Sequence, residues 1–394
     1  MTTRFAVTGG RIFEGTQILD GTALVINDGI IESVIAEALV PADLQTVDAG
    51  GSLVVPGFVD LQVNGGGGVL FNNRPTRDGI ATICSAHARF GTTALMVTLI
   101  TDTPSVRDTA IAAGVEAHRQ GVPGYLGLHL EGPHLSLARK GTHDPALIRP
   151  MEATDLGALI AAAGTFGHAL TTIAPESVTV EQVRALRDGG YVVSLGHTDC
   201  GAATVFSYLD AGATMATHLF NAMSQMGNRE PGMVGAMLAA GQASCGLIAD
   251  GFHVDPLAMG VALRAKAGPG RIFLVTDAMS TIGTDDDGFE LNGRQVYRRD
   301  GRLTLADGTL AGADIDMLSC VRFVHQRLDR PLTEALNMAS LYPAQAIGAT
   351  SKGRLAEGMD ADFLLLSQDI DLLSTYIGGI CVHGGSKDQE EGPR

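Results

Sequence analysis

The 394-residue sequence has no apolar run long enough to cross a membrane, and Met1-Thr2-Thr3-Arg4-Phe5 opens no secretory leader. Positive charge is also scarce. Lys and Arg number 27 against 43 Asp and Glu, a net charge of −16. Phosphate backbones are gripped by clustered cations, so nucleic acid is disfavoured as a partner, although a local pocket can still hold a small anion. Cysteine is sparse and scattered: Cys84, Cys200, Cys245, Cys320 and Cys381 form no C-x-x-C pair, and their number is odd. That pattern points to reduced thiols in a cytoplasmic protein. No repeat of solenoid length occurs. What is present is 45% hydrophobic residues, enough to bury one large core and a smaller satellite domain.

The two chain ends share one character. Phe5–Thr8, Thr22–Ile26 and Ile30–Ile35 are short β-rich pieces split by the turn pairs Gly9-Gly10, Asp20-Gly21 and Asp28-Gly29. Ala361–Leu366 and Tyr376–Val382 repeat that texture near the other end. Residues 1–54 and 351–385 are therefore expected to join in one small β-sandwich domain. Residues 386–394, with Asp388-Gln389-Glu390-Glu391, form a polar tail of disordered composition.

Residues 55–350 alternate between apolar strand-length runs and helix-length stretches. Strands are expected near 58–63, 93–99, 125–130, 171–174, 191–196, 214–218, 245–250 and 272–277. Helices are expected over Asp78–Phe90, Pro104–Gln120 and Thr179–Asp188, each stopped by glycine. Two more amphipathic stretches, Asp314–Asp329 and Thr333–Tyr342, follow the last strand. Eight strands separated by helices predict an α/β fold, a (β/α)₈ barrel of the TIM type.

Four of these strands end at residues that carry chemistry: Glu131, His197, His218 and Asp277. A single strand-end histidine is more often a packing residue than a ligand. Two histidines and a glutamate on three strands of one barrel rim instead suit a catalytic zinc site, three protein ligands leaving one position for water. Asp277 is placed to take a proton from that water and return it to a leaving group, unless it merely caps the segment that follows. His143, in the loop after Glu131, is placed to polarise a substrate carbonyl. Arg229 is either a solvated charge or an anion contact, and Asp250-Gly251-Phe252-His253 ends the seventh strand, where barrel enzymes commonly hold phosphate. Gly65–Gly68 resembles a phosphate-cradling run, or simply permits a tight turn.

Several segments together carry a resemblance: Pro56–Gly65, Leu128–His134, Lys140–His143, Ser194–Thr198, Ala216–Met223, Arg229–Gly232, Ile248–Asp255, Leu274–Ala278, Leu341–Ala344 and Gly353–Phe363. Over nearly the whole chain the sequence resembles the N-acetylglucosamine-6-phosphate deacetylases of the amidohydrolase superfamily. The resemblance implies hydrolysis of the acetamide of N-acetyl-D-glucosamine 6-phosphate, in amino-sugar catabolism and cell-wall recycling. It implies one divalent cation per chain, Zn²⁺ first and Fe²⁺, Mn²⁺ or Co²⁺ as alternatives, held by Glu131, His197 and His218. Asp277 would be the acid/base and His143 would assist the amide carbonyl. Thr142, Asn221, Ala222, Leu310, Ala311 and Gly312 would line the sugar site. His253 and Arg229 would hold the phosphate, Arg229 reaching in from the neighbouring subunit of a homodimer or larger homo-oligomer.

Two positions depart from the wider superfamily. Where many amidohydrolases carry His-x-His for a second metal, this chain has Gln62 and Asn64, and amides are poor zinc ligands beside imidazole. Two other readings stay open at this point: an amidohydrolase acting on a cyclic amide, and a non-catalytic scaffold of the same fold.

Overall fold

The computed structural model describes residues 4–384, and the polar tail expected at 386–394 lies outside them. Eight parallel strands form the central sheet in sequence order: β1 (Phe58–Val63), β2 (Thr92–Ile100), β3 (Tyr125–Glu131), β4 (His168–Ile173), β5 (Val192–Leu195), β6 (Ala213–Ala216), β7 (Ser244–Leu247) and β8 (Ile272–Leu274). All nine residues of β2 are buried, as expected of a strand covered on both faces. The fourth strand starts at His168, three residues before its expected position at 171.

The seam between β1 and β8 is closed by single contacts and not by a full ladder. Val63 and Ala278 form an isolated parallel bridge, and Asp277 N–H donates to Gln62 O at 3.0 Å. Lower in the barrel, the buried Asp60 carboxylate accepts the Thr276 hydroxyl at 2.6 Å. Burial pushes the Asp60 carboxyl up to about 7, against the hydrogen bonds from Thr276 and Gln62.

Helices cover the outside, and their ends follow local chemistry. Arg77–Ala88 starts where Thr76 Oγ1 accepts from Gly79 N at 3.0 Å. Val180–Asp188 opens with a capping box in which Thr179 and Gln182 bond reciprocally. The two late helices differ from expectation. Asp314–Asp329 is Met317–Arg322 followed by a π-helical turn, Phe323–Arg327. Thr333–Tyr342 is part of two helices, Leu332–Ala339 and Leu341–Ile347, broken at Ser340. Pro343 explains the break, because it has no N–H to offer the Ala339 carbonyl and its ring crowds that oxygen.

Residues 288–313, where the sequence pattern predicts no strand, are also structured. Gly288–Leu291, Arg294–Arg299, Arg302–Thr304 and Leu310–Ala313 form a four-stranded antiparallel insert after β8. Its first two turns are Asn292-Gly293 and Asp300-Gly301, all four residues at positive φ (49°, 72°, 51° and 73°), the backbone that suits a tight hairpin.

Both chain ends meet in a second layer system. A four-stranded sheet is drawn from residues 4–48. A six-stranded sheet combines Arg11–Phe13, Ile18–Leu19 and Leu53–Pro56 with Phe363–Leu366, Leu372–Ile377 and Ile380–Gly384. Leu53–Pro56 and Phe363–Leu366 pair antiparallel, Val54 opposite Leu365. Phe5, Leu24, Ile26, Val54, Phe363 and Leu365 share one apolar core there, and Phe363 stacks on Tyr376 with centroids 4.3 Å apart. This is the expected small β domain built from N- and C-terminal segments beside a barrel. Among the described residues, no helix is long and apolar enough to cross a membrane.

Candidate active site

The C-terminal ends of the strands converge on one cavity of about 230 Å³. Glu131 is the last residue of β3. His197 and His218 follow β5 and β6 by two residues, and Asp277 follows β8 by three. These three do not extend their strands, as the sequence suggested. Each sits at positive φ (47°, 29° and 52°), which turns the side chain inward at some cost in backbone strain.

Glu131 Oε1 lies 3.2 Å from His197 Nε2 and 3.2 Å from His218 Nε2, and the two Nε2 atoms are 3.1 Å apart. Three donors on a tetrahedral ion with bonds of about 2.0–2.1 Å stand roughly 3.3 Å from one another. The His197 Nδ1–H donates to Arg139 O at 2.9 Å, so its Nε2 offers a lone pair to the centre. Such a donor set suits a divalent cation better than any arrangement of protons among three buried groups. Burial works against the Glu131 carboxylate, yet His197 and His218 outweigh it and hold the carboxyl well below its usual range.

His143 also stands near, its ring 4.5 Å from that of His197, and its ligand atom falls within 4.8 Å of those of Glu131 and His197. It is nevertheless the poorer ligand. Thr101 N–H donates to His143 Nδ1 at 3.4 Å, with the Thr101 hydroxyl 2.7 Å from the same nitrogen. The ring proton therefore belongs on Nε2, where it is a donor. Burial, then the charge of His197, pushes His143 down to about 3, so it stays neutral near pH 7.

Asp277 Oδ1 accepts Asn64 Nδ2–H at 2.7 Å and Gln62 Nε2–H at 3.1 Å. Gln62 Nε2 also lies 3.3 Å from each Glu131 oxygen. Gln62 thus bridges the two carboxylates, and Asn64 holds Asp277 alone. Burial, then the Glu131 charge, raises the Asp277 carboxyl, which suits a group that must both accept and release a proton.

Across the cavity, His253 Nδ1–H donates to Asp250 Oδ2 at 2.6 Å, both side chains buried. Asp250 Oδ1 accepts the backbone N–H groups of Phe252 and His253, which fixes the loop. Thr142, Asn221, Ala222, Leu310 and Gly312 line the same cavity. Ala311 does not. It is fully buried within the insert, because its neighbours on an extended strand take the opposite face. Arg229 is outside as well, exposed on the loop that Glu230 anchors by accepting Ala202 N–H at 2.8 Å and Gly232 N–H at 3.0 Å. The glycine run at 65–68 is a hairpin, buried at Gly65 and Gly66, whose Gly67 and Gly68 N–H groups are taken by Ile282 O and Ser280 O. A Cβ at Gly65 would stand 2.4 Å from Val69 O, so the tight turn accounts for it and no phosphate cradle remains.

Sequence reasoning missed Thr101, Met279 and Thr309, and it named Asp250 without its role as the partner of His253. Thr101 acts through His143, forty-two positions away, which no local pattern reveals. Thr309, beside Leu310, needed the insert to be recognised first.

Residues 53–381 match the amidohydrolase family model, and residues 4–54 match the NagA composite domain. An N-acetylgalactosamine-6-phosphate deacetylase of Shewanella sp. (strain ANA-3) is 41% identical, covering 94% of each chain. An N-acetylglucosamine-6-phosphate deacetylase of Haemophilus influenzae is 32% identical over 95% of this chain and 98% of its own. The crystal structure of the Pasteurella multocida N-acetylglucosamine-6-phosphate deacetylase superposes with a TM-score of 0.91, at 33% identity, over 95% of this chain and 98% of that one. The chain belongs to the amidohydrolase family and, within it, to the N-acetylglucosamine-6-phosphate deacetylases.

Proposed function

We propose that this protein hydrolyses the acetamide of an N-acetyl amino-sugar 6-phosphate, releasing acetate and the free amine, with N-acetyl-D-glucosamine 6-phosphate as substrate. The observation that carries this is the triangle of Glu131 Oε1, His197 Nε2 and His218 Nε2, with sides of 3.1–3.2 Å, beside a carboxyl held by two amides. Glu131, His197 and His218 are the residues to hold one divalent cation, Zn²⁺ by the preference of mixed imidazole and carboxylate donors. When bound, such a cation supplies Lewis acidity and makes water nucleophilic near neutral pH.

The chain's own groups do the rest. Asp277 takes the proton of the attacking water and delivers it to the departing amine nitrogen. The neutral His143 donates its Nε2–H to the amide oxygen as negative charge gathers there. Thr142, Asn221, Ala222, Leu310 and Gly312 hold the sugar, and Ala311 packs in the core of the insert behind them. His253, steadied by Asp250, meets the phosphate. Arg229, exposed in the single chain, completes that contact in a partner subunit of a homodimer. The exposed Met226 on the same loop suits burial against a partner. The catalytic unit is residues 55–350, with 1–54 and 351–385 as the small β domain. Five free cysteines agree with a reducing, cytoplasmic setting.

The Shewanella relative favours a second reading, the C4 epimer N-acetyl-D-galactosamine 6-phosphate, as a substrate. The test is acetate release by purified protein from both sugar phosphates, before and after chelation and zinc return. Turnover of either that depends on the cation supports the proposal. No turnover of both, with zinc bound, sinks it, and turnover of hydantoin or dihydroorotate instead would restore the cyclic-amide reading.

A further inference from the structure

The insert after β8 touches the catalytic rim at a second place, away from the strand that lines the pocket. The Arg294–Arg299 strand begins with Arg294, whose Nη2–H donates to Thr142 O at 2.5 Å, across 152 positions of sequence. Thr142 lies in the middle of a segment wrapped round His197. At one end Arg139 O accepts the His197 Nδ1–H. In the middle, Gly141 is at φ +56°, and a Cβ there would stand 3.3 Å from His197 Cε1. At the other end the His143 ring meets His197 edge to face. One segment therefore sets the tautomer, the packing and the ring neighbour of His197, and a charged donor from a separate element holds its central carbonyl. Hydrogen bonds from a guanidinium are about twice as strong as neutral ones.

We infer that Arg294 is a positioning residue for the cation site: by holding the Thr142 carbonyl it keeps the 139–143 segment against His197, presenting His197 Nε2 to the cation and His143 Nε2–H to the substrate. Arg294 touches neither cation nor substrate, and the inference rests on the reading of His197 as a ligand.

The test uses full-length protein carrying Arg294→Gln or Arg294→Lys. Zinc affinity is measured by competition with a chromophoric chelator, kcat and KM on the sugar phosphate, and folding by thermal melting. Arg294→Gln is expected to weaken zinc binding and lower kcat, each about tenfold, the scale seen when a ligand's outer partner is lost. KM should move little, and Arg294→Lys should recover part of both losses. Unchanged zinc affinity and kcat overturn the inference, and so does a lowered melting temperature with both unchanged. If Arg294→Gln does not fold, Gly141→Ala disturbs the same segment from within and should show the same paired loss. Its absence is equally fatal. A wild-type protein that binds no zinc overturns the ligand reading itself, whereas zinc bound equally by wild type and Arg294→Gln overturns only the tether.

Discussion

Asn64 Nδ2 stands 2.7 Å from Asp277 Oδ1, so the amide just past the end of β1 holds the Asp277 carboxylate across the barrel seam. The donated hydrogen bond favours the ionised form and counters the upward push of burial and of Glu131. As the proposed base, Asp277 has to be ionised to accept a proton, so activity is expected to rise with pH through its pKa. Asn64→Leu removes the donor, raises that pKa further and moves the acidic limb of the kcat/KM profile to higher pH. A limb left in place would show that Asn64 does not tune Asp277.

Asp277→Asn keeps the shape and removes the base. Turnover should fall by a factor on the order of 10² or more, with zinc content and melting temperature near those of wild type. Near-native turnover would take Asp277 out of the mechanism.

With Gln62 and Asn64 engaged by carboxylates, one tightly held cation per chain is expected. Elemental analysis of purified protein should give that stoichiometry, and His197→Ala should abolish both tight binding and activity. Two equally tight ions in an anomalous-scattering map would contradict the single site.

Arg229→Ala should raise KM for the phosphorylated sugar far more than for the unphosphorylated one, and Arg229→Lys should recover only part, because lysine lacks the bidentate fork. If Arg229 serves the neighbour's site, mixing Arg229→Ala chains with Asp277→Asn chains creates heterodimers holding one intact site. Activity at low substrate should then return. Its failure to return, once subunit exchange is verified, would confine Arg229 to its own chain.

Acid stability should depend on Asp155, buried beneath Arg149 (2.5 and 2.6 Å) and Arg107 (3.0 Å). Hydrogen bonds from Arg149 outweigh burial and hold this carboxyl below its ordinary value. A depressed folded pKa contributes stability above the unfolded pKa, about 3.9, and the contribution is lost as pH falls below it. Asp155→Asn should therefore destabilise the fold at pH 7, and the gap to wild type in urea melts should shrink below about pH 4. A gap independent of pH would assign the loss to packing.

The barrel was legible because most of its strands are largely apolar runs that stop at a polar residue or glycine, as in Tyr125–Glu131. The insert was not, because Arg294, Arg298, Arg299 and Arg302 give its strands the look of a solvated loop. Its Asn292-Gly293 and Asp300-Gly301 turns were the available signal. Pro343 likewise announced the helix break that amphipathic spacing hid. The convergence of Glu131, His197, His218 and Asp277 could be anticipated from strand ends, but the left-handed backbone of His197, His218 and Asp277 could not, since none of the three is glycine. Partnerships such as Thr101 with His143 depend on strand neighbours and emerge only in three dimensions.

The pairing of Leu53–Pro56 with Phe363–Leu366 also bears on how the chain is made. During synthesis the early strand leaves the ribosome long before its partner exists. Until residue 366 has emerged, one edge of that sheet stays open to any other strand nearby, including the same edge on a neighbouring nascent chain. Chains truncated before Phe363 should accordingly accumulate as aggregates, even though the barrel that precedes the break is complete.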